Sequence, residues 1–171
     1  VRSSAASDVY KRQADDIYGR SKALGEIIND KDLTIRTSII GPELKTNGEG
    51  LFHWFMHQTG QVNGFKTAIW GGVTTLELAK AIDNAIVQEQ TGLIQLSNGI
   101  GITKYDLLNL FKKIWHRSNV NILPYDGNKI DKSIAKSDKF AYEVPGYEVM
   151  LLEQYEWMRK NDKLYSQYLT D

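Results

Sequence analysis

The chain has no cysteine, which excludes disulfides, thiolate metal ligands and a cysteine nucleophile. It has no net charge either: 21 basic residues balance 21 acidic ones, so no global field draws it to nucleic acid or to an anionic membrane surface. No stretch approaches the roughly 18 to 20 apolar residues that a membrane-spanning helix needs. The opening segment, VRSSAASDVYKRQ, lacks the apolar centre of a secretory signal and any apolar period. Residues 1–13 are expected to be a non-native or disordered tail, since the segment also resembles translated sequencing-adapter read-through. These absences point to a cytoplasmic protein with no nucleic-acid or membrane partner. What remains, 42% apolar and 25% charged over 171 residues, suffices for one ordinary globular domain or part of a larger one.

The elements that follow alternate between helix and strand. Residues 14–28 have helical periodicity, with Ile17, Leu24, Ile27 and Ile28 in one arc and Tyr18, Lys22 and Gly25 outside it. LTIRTSII at 33–40 predicts a strand, ended by Gly41 and Pro42. A short helix is expected at 51–58, with Phe52, Phe55 and Met56 inward, and a short strand at 67–70. TTLE at 74–77 carries a capping-box signature that opens a helix with Leu78, Ala79, Ile82 and Ile86 on one face. A strand at 92–97 precedes a capped helix from Thr103, whose apolar side is Leu107, Leu108, Phe111, Ile114 and Trp115. A strand at 121–125, an irregular segment at 126–140 and a helix at 147–160 with Leu151, Tyr155 and Met158 inward complete the chain. A helix leading directly into a β-branched strand is the second half of a βαβ unit, so the fold class is α/β.

Tyr18 and Lys22 stand four residues apart, which in a helix places them about 5–6 Å apart at Cβ. An ammonium so close to a phenol favours the phenolate and fits the tyrosine for acid–base work. The core does not claim either residue. His53 and His57 share the same spacing, but no third ligand accompanies them, so no metal site is expected. Trp70 is suited to stacking or to packing, and lysines 129, 132, 136 and 139 are placed either to meet a diphosphate or to solvate a loop.

YGRSKALGE followed by LTIRTSIIGPE resembles the extended short-chain dehydrogenase/reductases that act on nucleotide sugars. WGGVTTLELAKAI, GLIQLSNGIGITKYDLLNLF, IDKSIAKSDKF and VPGYEVMLLEQYEWM are similar to the branch typified by dTDP-4-dehydrorhamnose reductase, found in surface-polysaccharide pathways. The resemblance implies the C-terminal part of a Rossmann-type fold with its small substrate-binding lobe, the N-terminal half of the sheet being missing. Residues 14–44 would be the remnant of the cofactor domain, and 45–171 mainly the substrate lobe with returning α/β elements. It further implies NADP or NAD as cofactor, a nucleotide sugar as substrate and homodimer formation. Tyr18 would be the catalytic acid, with Lys22 lowering its pKa and holding the nicotinamide ribose. Thr37, Ser38 and Ile39 would approach the nicotinamide, and His53, Trp70 and Lys132 the substrate. The Gly-rich turn that binds the pyrophosphate in this family does not precede Tyr18, so the chain alone is expected neither to bind the dinucleotide tightly nor to turn over. An epimerase or dehydratase of the same family shares the Tyr18–Lys22 pair, and a non-catalytic partner subunit is the alternative from another class.

Overall fold

The computed structural model describes residues 17–45 and 47–169; the side chain of Tyr18, the expected tail at 1–13 and the expected helix start at 14–16 lie outside that set. The elements run α1 (Ile17–Leu24), β1 (Leu33–Arg36), β2 (Ile39–Ile40), α2 (Leu51–Met56), β3 (Gly60–Phe65), β4 (Ala68–Trp70), β5 (Val73–Thr74) and α3 (Thr75–Val87). They continue as β6 (Gly92–Gln95), β7 (Ile102–Thr103), α4 (Lys104–Ile114), β8 (Val120–Tyr125), β9 (Ile130–Lys132), α5 (Tyr147–Lys160) and α6 (Asp162–Tyr165), closed by a 3₁₀ turn at Ser166–Tyr168. This is a mixed α/β fold with parallel pairing. No helix among the described residues is long and apolar enough to cross a membrane.

The strand expected at 33–40 is two strands, because it changes partner midway. β1 pairs in parallel with β6, whereas β2 pairs in parallel with β5. The change falls at Thr37 and Ser38. The Thr37 hydroxyl donates to the Leu96 carbonyl at 2.8 Å, and the Val73 N–H donates to the Ser38 carbonyl at 2.9 Å. β3 and β8 form a second parallel pair, and β4 lies between β7, antiparallel, and β9, parallel.

Two apolar clusters hold these layers. The first joins Phe52, Phe55 and Met56 of α2 to Phe111 and Trp115 at α4, to Val62 and Ile122 of the β3–β8 pair, and to Leu151 and Met158 of α5. Its aromatic rings meet edge to face, Phe52 lying 5.3 Å from Phe111 and 4.8 Å from Trp115. The second gathers Val73, Ala81, Ala85, Ile94, Leu96, Phe140 and Met150, with Leu33 and Ile35 of β1 packed against it. Each fully buried Phe, Leu or Met contributes about 1.5–3 kcal/mol by leaving water.

Several expectations are corrected. The apolar arc of α1 does not face a core: Ile17 and Leu24 are each 88% exposed, and Ile27 and Ile28 are also exposed. Among the described residues β1 has β6 as its single neighbour, in keeping with the missing half of the sheet expected from the sequence. In α3 the inward face is Glu77, Ala81 and Ala85, while Ile82 and Ile86 are exposed. Thr74 does cap the helix, accepting from the Glu77 N–H at 3.1 Å, but the Glu77 carboxylate accepts from the Tyr142 hydroxyl at 2.7 Å. The 126–140 segment is not wholly irregular, since β9 pairs with β4 inside it. β3 was not expected, because its sequence GQVNGF offers little apolar signal.

Candidate active site

The helix that carries Tyr18 and Lys22 is fixed at its C-terminal end. The Gly25 N–H donates to Ser21, and Glu26, just beyond the helix, sends its carboxylate to Arg36 at the end of β1. The contact is bidentate: Arg36 Nε to Glu26 Oε1 is 2.6 Å and Nη2 to Oε2 is 2.5 Å. Arg36 is buried at 5% exposure, so this pair ties α1 to the strand that leads into Thr37–Ile39. Sequence patterning did not single out either residue. The available signal was an arginine inside an otherwise apolar strand, LTIR, where a charge is seldom buried without a partner. The Lys22 side chain is exposed.

Beyond β1 the candidate residues converge through glycine. A Cβ on Gly72 would lie 2.0 Å from the Ser38 carbonyl oxygen, and one on Gly71 would lie 2.9 Å from the backbone of Ser133 and Ile134. The 70–72 loop is therefore pressed between Ser38 and the chain leaving β9, an approach that only glycine permits. Trp70 stands opposite Lys132 in the β4–β9 ladder, so side chains distant in sequence share one row. The Trp70 ring also meets the Tyr147 ring at 5.8 Å. Tyr147 donates to the Ile100 carbonyl; burial holds its phenol above the usual range, and a backbone hydrogen bond at Gly72 partly opposes that shift. Tyr147 was not anticipated as a neighbour of this loop. Ile39 is 55% exposed, whereas the Thr37 hydroxyl is committed to Leu96. Lys132 is exposed and in no ion pair among the described residues, while Lys136 pairs with Glu143 at 2.7 Å.

His53 has a different commitment. It is 7% exposed and its Nδ1 lies 2.7 Å from the Tyr168 hydroxyl. That hydroxyl accepts from the Glu43 N–H at 3.0 Å and lies 2.9 Å from the Glu43 carbonyl. A phenol has one proton; giving it to the carbonyl makes His53 Nδ1–H the third partner, and all three bonds are satisfied. Gly48 presses on the same imidazole, where a Cβ would come within 2.5 Å of the ring. His53 thus fastens the loop at 43–48. The His57 ring lies 4.3 Å from that of His53, and no group of three His, Cys, Asp or Glu placed to hold a metal occurs among the described residues.

No protein-family model matches the chain, and no curated protein matches it. Solved structures do. A dTDP-4-dehydrorhamnose reductase from Bacillus anthracis, in complex with NADP, superimposes with a TM-score of 0.63 at 17% identity over 82% of this chain and 52% of its own. A UDP-N-acetylglucosamine 4-epimerase from Methanobrevibacter ruminantium gives 0.57 at 17% identity over 75% of this chain and 46% of its own. A dTDP-glucose 4,6-dehydratase from Bacillus anthracis, in complex with NAD, gives 0.52 at 13% identity and covers 93% of this chain and 51% of its own. The chain spans about half the length of these structures. It therefore has a Rossmann-type fold like that of these structures, over about half of their extent.

Proposed function

We propose that this chain is the C-terminal part of an NAD(P)-dependent reductase of 4-keto nucleotide sugars, similar to dTDP-4-dehydrorhamnose reductase and serving surface-polysaccharide sugar synthesis in the cytoplasm. Residues 14–44 are its share of the cofactor domain. Residues 45–171 are mainly the substrate lobe, with β5, α3 and β6 returning to the parallel layer. The observation that carries this proposal is the helix of Tyr18 and Lys22 clamped by Glu26 and Arg36 to a strand whose end meets the Trp70–Gly72 loop.

The residues present fit the nicotinamide end of a dinucleotide. Ile39 offers an exposed apolar side chain after β1, and Lys22 offers donors to ribose hydroxyls. They do not fit the pyrophosphate end: Gly71 and Gly72 are occupied by packing against Ser133 and Ser38, leaving no glycine cradle there. A bound NADPH or NADH supplies hydride to the keto carbon. Tyr18 gives its hydroxyl proton to the keto oxygen and becomes the phenolate, which the Lys22 ammonium stabilises. Trp70 and Lys132, side by side, are placed to meet the sugar and the diphosphate. An epimerase would use the same tyrosine to remove and return a proton, without net consumption of the dinucleotide.

The test is to express the continuous open reading frame found upstream of Ala14 in the source DNA and follow NADPH absorbance with a 4-keto nucleotide sugar. Turnover that Tyr18→Phe lowers at least about 100-fold is expected for a general acid. An upstream frame with no Gly-rich dinucleotide turn, or a Tyr18→Phe variant as active as the parent, overturns the assignment. Interconversion of sugar epimers without NADPH loss selects the epimerase instead.

A further inference from the structure

We infer that the cleft at the C-terminal ends of α4 and α5 is a binding site for a diphosphate-bearing ligand. The cleft has a volume of about 940 Å³ and is walled by the 115–119 turn, by Tyr155 and Arg159 of α5, and by the closing turns around 162–169. Three permanent cations, Arg117, Arg159 and Lys163, line it with His116, and Asp162 is the one carboxylate in its wall. None of the three cations is in an ion pair among the described residues. Cations are favoured near helix C-termini in any protein, which accounts for Arg159 at the end of α5. It also covers Lys163, in the last turn of α6, but not Arg117, which lies past the end of α4 and converges on the same space.

Two further observations point the same way. Arg117 is held by a 2.9 Å bond from its Nη2 to the Gln58 carbonyl, so its guanidinium is anchored. The wall carries three cations against one carboxylate. In addition, His116 has φ +53°. It occupies the left-handed position after α4, closed by the Arg117 N–H to Lys112 carbonyl bond at 3.0 Å, where glycine is the ordinary residue. His116 lines both this cleft and an adjoining one of about 440 Å³ with Asn109, Lys112, Lys113 and Ser118. Three cations, one of them anchored, and this volume suit two phosphates better than a lone monoanion. Tyr155, with the Arg159 guanidinium 5.9 Å from its ring centre, offers a stacking surface beside them.

The experiment is calorimetric titration of the full chain with inorganic pyrophosphate and, in a parallel arm, with a nucleoside diphosphate. Saturable binding is expected, weakened at least about tenfold in the doubly exposed variant Arg159→Gln/Lys163→Gln. His116→Gly is expected to raise the melting temperature yet weaken binding, a divergence that a merely structural residue does not produce. A tighter nucleoside diphosphate identifies a nucleotide source, and equal affinity identifies the diphosphate alone. Absence of saturable binding in both arms, or affinity unchanged in both variants, overturns the inference.

Discussion

Removing one member of the Glu26–Arg36 pair should cost more than removing both. The Arg36 side chain is 4% exposed and that of Glu26 14%, so both charges of the pair are largely desolvated. Breaking a buried pair by deleting one partner costs roughly 3–5 kcal/mol, because the survivor is an uncompensated charge. The two deletions are not equivalent. Glu26→Ala takes a bidentate carboxylate from a guanidinium that sits deeper and cannot release its proton, and about 4 kcal/mol is expected. Arg36→Met leaves the shallower carboxylate, which solvent reaches more easily, and about 3 kcal/mol is expected. The double variant Glu26→Ala/Arg36→Met removes both charges and should lie within about 2 kcal/mol of the parent. Urea denaturation followed by circular dichroism measures all four corners of the cycle. At about 2–4 °C per kcal/mol for a chain of this size, Glu26→Ala should melt roughly 10 °C below the parent. Amide exchange should also quicken in α1 while the α2–α4 cluster keeps its protection. Singles that each cost under about 1 kcal/mol, as for an exposed pair, would refute the reasoning. So would a double variant whose cost equals the sum of the two.

Gly72→Ala forces a methyl to within 2.0 Å of the Ser38 carbonyl and should cost about 3 kcal/mol. Gly25→Ala, whose methyl would meet ordinary contacts at 3.7 Å, is the control expected to be near neutral in thermal melts. The fold should also lose stability at alkaline pH. Tyr142 is raised by burial and then by the Glu77 carboxylate it bonds; Tyr168 and Tyr147 are raised mainly by burial. Folded-state values above the unfolded tyrosine value mean this stability is complete below pH of about 10 and is lost as pH rises beyond it. Tyr142→Phe should cost about 2 kcal/mol at neutral pH, by depriving buried Glu77 of its donor, and should flatten the alkaline decline in denaturation midpoint. An unchanged alkaline slope would show that Tyr142 is not the titrating group.

What the sequence disclosed, it disclosed through local signals. Thr103 caps α4, and every apolar position expected on that helix, Leu107, Leu108, Phe111, Ile114 and Trp115, is buried. Periodicity also found the apolar arc of α1, but period does not say what covers an arc, and among the described residues nothing covers Ile17 or Leu24. β3 and β9 escaped because backbone pairing, rather than alternating apolar side chains, defines them; both are short or glycine-bearing and half exposed. The Tyr18–Lys22 spacing was legible because it is local. The Trp70–Lys132 row and the His53–Tyr168–Glu43 bonds were not, since each joins segments that only the folded topology brings together. Arg36 shows the middle case, an odd charge in a strand whose partner lay ten residues back.

The change of partner at Thr37–Ser38 has a consequence for how the molecule comes apart. Leu33 and Ile35, before the change, pack on the Val73–Ile94 cluster, and Ile40, after it, belongs to the Phe52–Phe111 cluster. Eight consecutive residues are thereby threaded through both cores. Neither cluster can melt without pulling on a strand that the other holds, so the two should unfold in one cooperative transition rather than in sequence. Lengthening the chain by glycine insertion at 37–38 would loosen that tether and leave α5, with Met150 in one cluster and Leu151 in the other, as the link between the cores.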